Sequence, residues 1–216
     1  MLGLAVLFFV GLYFLILILG TYFAYRFFKN RSRKSAIYSG TTVFLAIFLP
    51  VFWDWIPTII AHDYYCKQAG FTEFKPVEQW KKENPGVWET LRKYNSDERH
   101  EARKDRDYLD YQGQRYHRML PMNPRISIYK SRIRHEPLLV FTTTYLVYDE
   151  GKQEVLAMSK SSGSGPGNTL ELGSDYGWSG FKLWLNKEAC GDTRLTVVDY
   201  ADSLSNPDLD GFKSSK

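Results

Sequence analysis

"RFFKNRSRKS", residues 26–35, carries Arg26, Lys29, Arg31, Arg33 and Lys34, with no acid, between two long uncharged runs. The run before it, Leu2 to Tyr25, covers 24 residues dominated by Leu, Ile, Val and Phe. A helix rises about 1.5 Å per residue, so about 20 residues cross a hydrocarbon core of about 30 Å, and this run is long enough to span. The run after it goes from Ser35 to Trp53, and "WIPTII" carries the apolar character on to Ile60. The pattern predicts two membrane helices, about 2–25 and 36–60, joined by a basic loop over 26–35. Short loops rich in Lys and Arg stay on the cytoplasmic side, which sends both termini out. A secretory signal would place its basic residues ahead of the apolar stretch and a small-residue cleavage site after it. Here the basic cluster follows, so the first run reads as a permanent helix.

Pro50 and Pro57 fall in the last third of the second run, where a membrane helix can kink or stop. Trp53 and Trp55 flank Asp54. Amphipathic indoles favour the headgroup level, which predicts that Trp53, Asp54 and Trp55 mark the membrane interface, with Asp54 solvated.

Of the 28 basic and 24 acidic side chains, five bases and one acid lie in residues 1–62. That difference accounts for the whole net charge of +4, leaving residues 63–216 neutral. The basic balance therefore reflects topology, and nothing in it calls for a nucleic-acid partner.

Cys66 lies just after the second run and Cys190 near the end; they are the only two cysteines. No Cys-x-x-Cys or Cys/His ligand spacing accompanies them, so no metal is expected. An exported domain meets an oxidising compartment, which predicts a Cys66–Cys190 disulfide.

Residues 63–200 read as an exported α+β domain, followed by a polar tail over 201–216. "KPVEQWKKENPGVWETLRKY", 75–94, predicts two short helices, with Pro76 and Pro85 at first helical positions, Asn84 as N-cap and Val87, Leu91 and Tyr94 facing inward. "DERHEARKDRD", 97–107, reads as a solvated helix or linker. Strands are expected over 138–148 and 154–161, joined by a hairpin in which Gly151 takes a positive φ. Further strands are expected in "RISIYKSRIRHE" and in "FKLWLN", 181–186.

Few residues suggest chemistry. "SSGSGPGN", 161–168, lacks the Lys-Ser/Thr ending of a phosphate loop and reads as a flexible connection. "NPDLDG", 206–211, imitates the start of a calcium loop but has no residue at its twelfth position. His62, His100, His117 and His135 are scattered, and no cofactor is implied. Gly3 and Gly11 are the only hint of a helix-packing face. The strongest feature is a basic stretch over 112–135 without an acid. Period-two alternation puts Lys130, Arg132 and Arg134 on one solvent face and turns Tyr129 and Ile133 to the core. With Arg125, these residues form a candidate binding surface for anionic lipid headgroups or an acidic protein.

"VEQWKKENPGVWETL" (77–91), "LVYDEGKQEVLAMSKSSGSGPG" (146–167) and "FKLWLNKEAC" (181–190) together resemble a loose group of small uncharacterised proteobacterial inner-membrane proteins. The similarity runs from Cys66 to Cys190, and the charged stretch 97–107 departs from it. The resemblance implies an N-terminal membrane anchor and a two-cysteine periplasmic domain, and no activity. The expected function is therefore binding: a non-catalytic accessory or immunity-type protein of the bacterial envelope. An envelope hydrolase acting on lipid or cell wall, or a membrane-assembly component, are the alternatives.

Overall fold

A computed structural model of the 216-residue chain describes residues 2–30, 32–103, 107–165, 182–191 and 194–206. The apolar runs form helices α1 (Leu2–Lys29) and α2 (Arg33–Phe52), which pack antiparallel. Arg26, Lys29, Arg33 and Lys34 cluster at the turn between them, while Arg31 lies outside the described residues. The close approach of the two helices is made at Gly20, beside Val43 and Ile47, and at Gly40, beside Thr21 and Tyr25. Gly11 faces nothing within 4 Å, Gly3 has no described surroundings, and the packing contacts lie at Gly20 and Gly40. By length and composition both helical stretches, Val10–Lys29 and Arg33–Cys66, can cross a membrane.

The second stretch does not end at residue 60. Trp53 and Asp54 interrupt it as a turn, and α3 (Trp55–Cys66) follows, so the expected domain boundary at residue 62 falls inside a helix. Pro57 has no N–H to return to the Trp53 carbonyl, which loosens the ladder at this point. Both turn residues nonetheless keep right-handed helical dihedrals, so α3 carries on from α2 without folding back.

Beyond α3 the fold is α+β around one antiparallel sheet. The strands are β1 (Gly70–Glu73), β2 (Tyr108–Tyr111), β3 (Gln114–Pro121), β4 (Ile126–Arg134), β5 (Val140–Asp149), β6 (Glu154–Ser164) and β7 (Lys187–Cys190). Their order is β1-β6-β5-β4-β3-β2, with β7 also on β6. β1 pairs with residues 157–160 and β7 with Ser162 and Ser164, so the two share the outer edge of β6. The β5–β6 hairpin forms as expected, but its left-handed residue is Gln153 (φ 53°) instead of Gly151. Gly151 serves a close approach: a Cβ there would lie 2.9 Å from Arg125 Nε. β6 also runs on to Ser164, so the first half of "SSGSGPGN" is strand, and residues 166–168 lie outside the described residues.

One sheet face is packed by Ile126, Ile128, Tyr145 and Val147 against α4 (Val77–Glu83) and α7 (Arg194–Ser203), with Trp80, Val197, Tyr200, Ala201 and Leu204 in the same core. The expected polar tail is thus partly core. α7 crosses residue 200, and Asn206 donates its backbone N–H to Leu91 O. Buried Ser205 accepts from Asn123 Nδ2 at 2.9 Å. The other face carries a smaller cluster of Tyr116, Tyr129 and Leu146. α5 (Pro85–Trp88) is a single turn started by Pro85, and Pro76 caps α4 from outside instead of occupying its first turn. Asn84 stands at the N-cap position, but its side chain is directed to Trp80 O and to Arg125. α6 (Ser96–Ala102) is the solvated helix expected of the charged run, closed by an Asn95/Glu98 capping box.

Candidate functional site

α3 meets the sheet along one polar face. Asp54, Thr58, His62 and Cys66 recur every fourth residue, which stacks them on one side of the helix. Lys182 Nζ donates to Asp54 Oδ2 at 2.6 Å. His62 Nε2 lies 3.2 Å from the Glu188 carbonyl. Cys66 is bonded to Cys190, as the cysteine arithmetic predicts. Around these points Lys187 lies 3.5 Å from Asp63, and Trp184 packs on Phe52 with ring centroids 4.7 Å apart. Phe52 in turn ends a stacked ladder with Phe44 and Phe48 along α2.

Two expectations change here. Asp54 is buried and paired, so it is not a solvated interfacial acid. Its Oδ1, together with Thr58 Oγ1 one turn away, has no hydrogen-bond partner among the described residues. "FKLWLN" does not run as a strand: Leu183–Leu185 is a turn of 3-10 helix between Lys182 and β7, and Phe181 lies outside the described residues. This turn brings Trp184 to Phe52 and Lys182 to Asp54.

The opposite face of α3, with Trp53 in the turn before it, is open and apolar except for Asp63 near its end. Trp53 is 49% exposed, Ile56 66%, Ile60 64% and Tyr64 59%. A surface helix of a water-soluble domain places such residues inward and polar ones outward. In α3 the arrangement is reversed from Trp55 to His62, and Asp63 is the one exposed charge.

The candidate cations divide. Lys130, Arg132 and Arg134 do share a face of β4, the face that Ile126 and Ile128 use for the core further along the strand. Lys130 is half-buried over the Tyr145 ring, at 5.7 Å from its centroid. Arg132 and Arg134 are exposed; Arg132 lies 4.0 Å from the Phe141 centroid, and Arg134 is 3.9 Å from Glu136. Ile133 is 42% exposed, so the expected inward turn holds for Tyr129 and not for Ile133. The apolar cluster on the second face stops at Tyr129; Ser131 beyond it is still buried, and cover is lost at Ile133. Arg125 does not belong with the other three. Its Nε donates to Asp149 at 2.7 Å, an NH2 group donates to Asn84 at 2.9 Å, and its guanidinium lies over Trp80.

Arg132 and Arg134 occupy the end of the sheet nearest the helices. Arg134 is opposite Phe141, and the neighbouring Val140 is opposite Ser164, whose hydroxyl donates to Leu185 O in the 3-10 turn. Tyr65 of α3 reaches the same end from the other face and stacks on His135, with centroids 3.9 Å apart. Nothing in the spacing of these residues announces that convergence, because it depends on the crossing of α3 over β5 and β6.

One histidine stands beside a hydroxyl. His135 Nε2 is 2.9 Å from Thr142 Oγ1, a possible base beside a hydroxyl, yet Tyr65 covers the ring. Burial holds the His135 and His117 imidazoles below their ordinary pKa, with Lys130 adding to the effect at His117. The ligand atoms of His62, Cys66 and Cys190 lie within 4.8 Å of one another. Metal binding by cysteine requires thiolates, and here the two sulfurs are bonded to each other. The set is a disulfide with an imidazole packed on it. Comparison with protein-family models, with curated proteins and with solved structures finds no match to this chain.

Proposed function

We propose that the chain is a two-span bacterial inner-membrane protein whose α+β domain lies on the periplasmic side and acts by binding, as an accessory or immunity-type protein of the envelope. The observation that carries this reading is the junction of α3 with the sheet. Asp54–Lys182, His62–Glu188 and Cys66–Cys190 hold the domain to the membrane-type helices at three points along one helix face. A domain held this way presents a fixed surface at a fixed height, which suits recognition. The basic turn at Arg26–Lys34 supports a cytoplasmic position for the connection between the spans, and the disulfide supports an oxidising compartment beyond them. Lys130, Arg132 and Arg134, at the sheet end next to the junction, form the contact surface for an acidic partner.

Copurification from gently solubilised membranes tests the reading. An envelope protein is expected to accompany the wild-type chain and to be lost from a Lys130→Glu/Arg132→Glu/Arg134→Glu chain whose disulfide remains closed. Recovery of both chains alone, with turnover of a lipid or cell-wall substrate, would replace binding by hydrolysis.

A further inference from the structure

The depth of α3 can be read from its neighbours. The Tyr13 hydroxyl donates to Ile47 O at 3.2 Å, and its ring lies 6.2 Å from Phe52. Tyr13 is therefore level with the last turn of α2. From there α1 continues to Leu2, eleven residues or about 16 Å, through "LGLAVLFFVGL", which has no charge. In the other direction, Tyr13 to Tyr25 supplies only about 20 Å of uncharged helix, well short of the about 30 Å of a hydrocarbon core. The missing thickness must come from the side where α3 lies. Counted along the second helix, about 20 residues from Ala36 also end beyond the Trp53–Asp54 turn, near Trp55 and Ile56.

The geometry points to α3 as a helix sunk in the lipid leaflet nearest the domain, its Trp53, Ile56, Ile60 and Tyr64 face set against lipid. Three independent features agree. The outward face of α3 is apolar from Ile56 to Ile60, and its one exposed charge, Asp63, stands at the Tyr64 end, level with the headgroup layer, while Thr58 and His62 turn to the protein. The uncharged stretch of α1 continues past the start of α3. Asp54, the one acid in the first 62 residues, is buried and paired with a lysine brought in from position 182, the arrangement that ionisable groups at membrane depth require. The occupant of the stripe is thus the bilayer itself: acyl chains at Trp53 and Ile56, and the headgroup layer at Ile60 and Tyr64. The sheet domain then rests on the membrane surface with no stalk, and Arg132 and Arg134 lie near the lipid phosphates. This placement holds on whichever side of the membrane the domain stands, so it survives a failure of the periplasmic reading.

The test is collision of a spin label with oxygen, which concentrates in lipid, and with a water-soluble nickel chelate. The full chain, its disulfide intact, carries one added cysteine, Ile60→Cys or Ile56→Cys, in vesicles of phosphatidylethanolamine and phosphatidylglycerol. Tyr108→Cys on β2, a 59% exposed position, serves as the aqueous reference. Oxygen is expected to dominate at both α3 positions and the nickel chelate at Tyr108→Cys. Equal access of the nickel chelate to the α3 and reference labels would place α3 in water and overturn the proposal. Exclusion of both reagents would overturn it as well, by showing the face covered by protein, a second copy of this chain included.

Discussion

Two buried aspartates hold this molecule together in different ways. Asp149 closes the far end of the sheet, and Asp54 closes the end at the helices. Asp149 accepts from Arg125 Nε at 2.7 Å, Trp80 Nε1 at 2.8 Å and the backbone amides of Gly151 and Lys152 at 2.9 and 3.1 Å. Asp54 accepts from Lys182 alone, through one oxygen, while the other finds no partner among the described residues. The first carboxylate is enclosed by a network that would persist after the loss of one donor. The second depends on a single contact spanning 128 residues of sequence. Buried charges stabilise a fold only where their hydrogen bonds are completed, so Asp149 is the stronger polar tie, and the junction owes its hold to the Cys66–Cys190 bond more than to Asp54.

The largest effect is expected from Asp149→Ala, which strands the Arg125 guanidinium and the Trp80 N–H inside the core and should cost about 3 to 5 kcal/mol. Urea unfolding of the detergent-solubilised chain, followed by tryptophan fluorescence, measures it. A loss below that of the next variant would invert the comparison. Lys182→Met leaves Asp54 buried without its donor and should cost about 1 to 3 kcal/mol, with protease cutting appearing first between residues 182 and 190. Cutting that begins instead in the β4–β6 strands would deny the junction its separate character.

The smallest effect is a pH dependence. Burial alone would raise the Asp149 pKa, but hydrogen bonds from Arg125, Trp80 and the Lys152 amide outweigh it and hold the carboxyl below its ordinary value. Glu83 is brought down to about 2 by hydrogen bonds from Gln79, Lys75 and Lys152. Both groups bind fewer protons folded than unfolded, so their contribution is whole above their unfolded values of about 4 to 4.5 and is lost as the pH falls through each folded value, about 2 for Glu83. Unfolding midpoints between these limits should decline in the wild-type chain and decline less in Asp149→Asn. Equal slopes would remove Asp149 from the acid response.

Features written in local composition were legible from the start. Uncharged length gives α1 and α2, a cluster of bases gives their connection, and two cysteines admit one bridge. The β5–β6 hairpin is plain because its strands are long and rich in β-branched and aromatic residues. β1, β2 and β3 were not read. The first two have only four residues each, and β3, "QRYHRMLP", mixes charges with its apolar positions because half of it lies near the sheet margin. The Gln112-Gly113 pair, with φ of 50° and 76°, was the available signal for the β2–β3 turn. α7 was hidden by its polar surroundings, since Asp199 and Asp202 interrupt the apolar spacing that Val197, Tyr200, Ala201 and Leu204 use. The partners of Asp54 and Arg125 were beyond reach for a different reason: each pairing is fixed by the crossing of distant elements, and period-two or helical spacing carries no trace of it.

The shared edge of β6 has a mechanical consequence. The chain enters the sheet at β1 and leaves it at β7 along the same edge, and the Cα atoms of Cys66 and Cys190 stand 5.5 Å apart beside that edge. Tension from the helices therefore passes into a covalent link at the point of entry, which keeps β1 and β7 from being drawn apart. A tug on a molecule held at β4 would be carried to this edge through the β4–β5 and β5–β6 ladders.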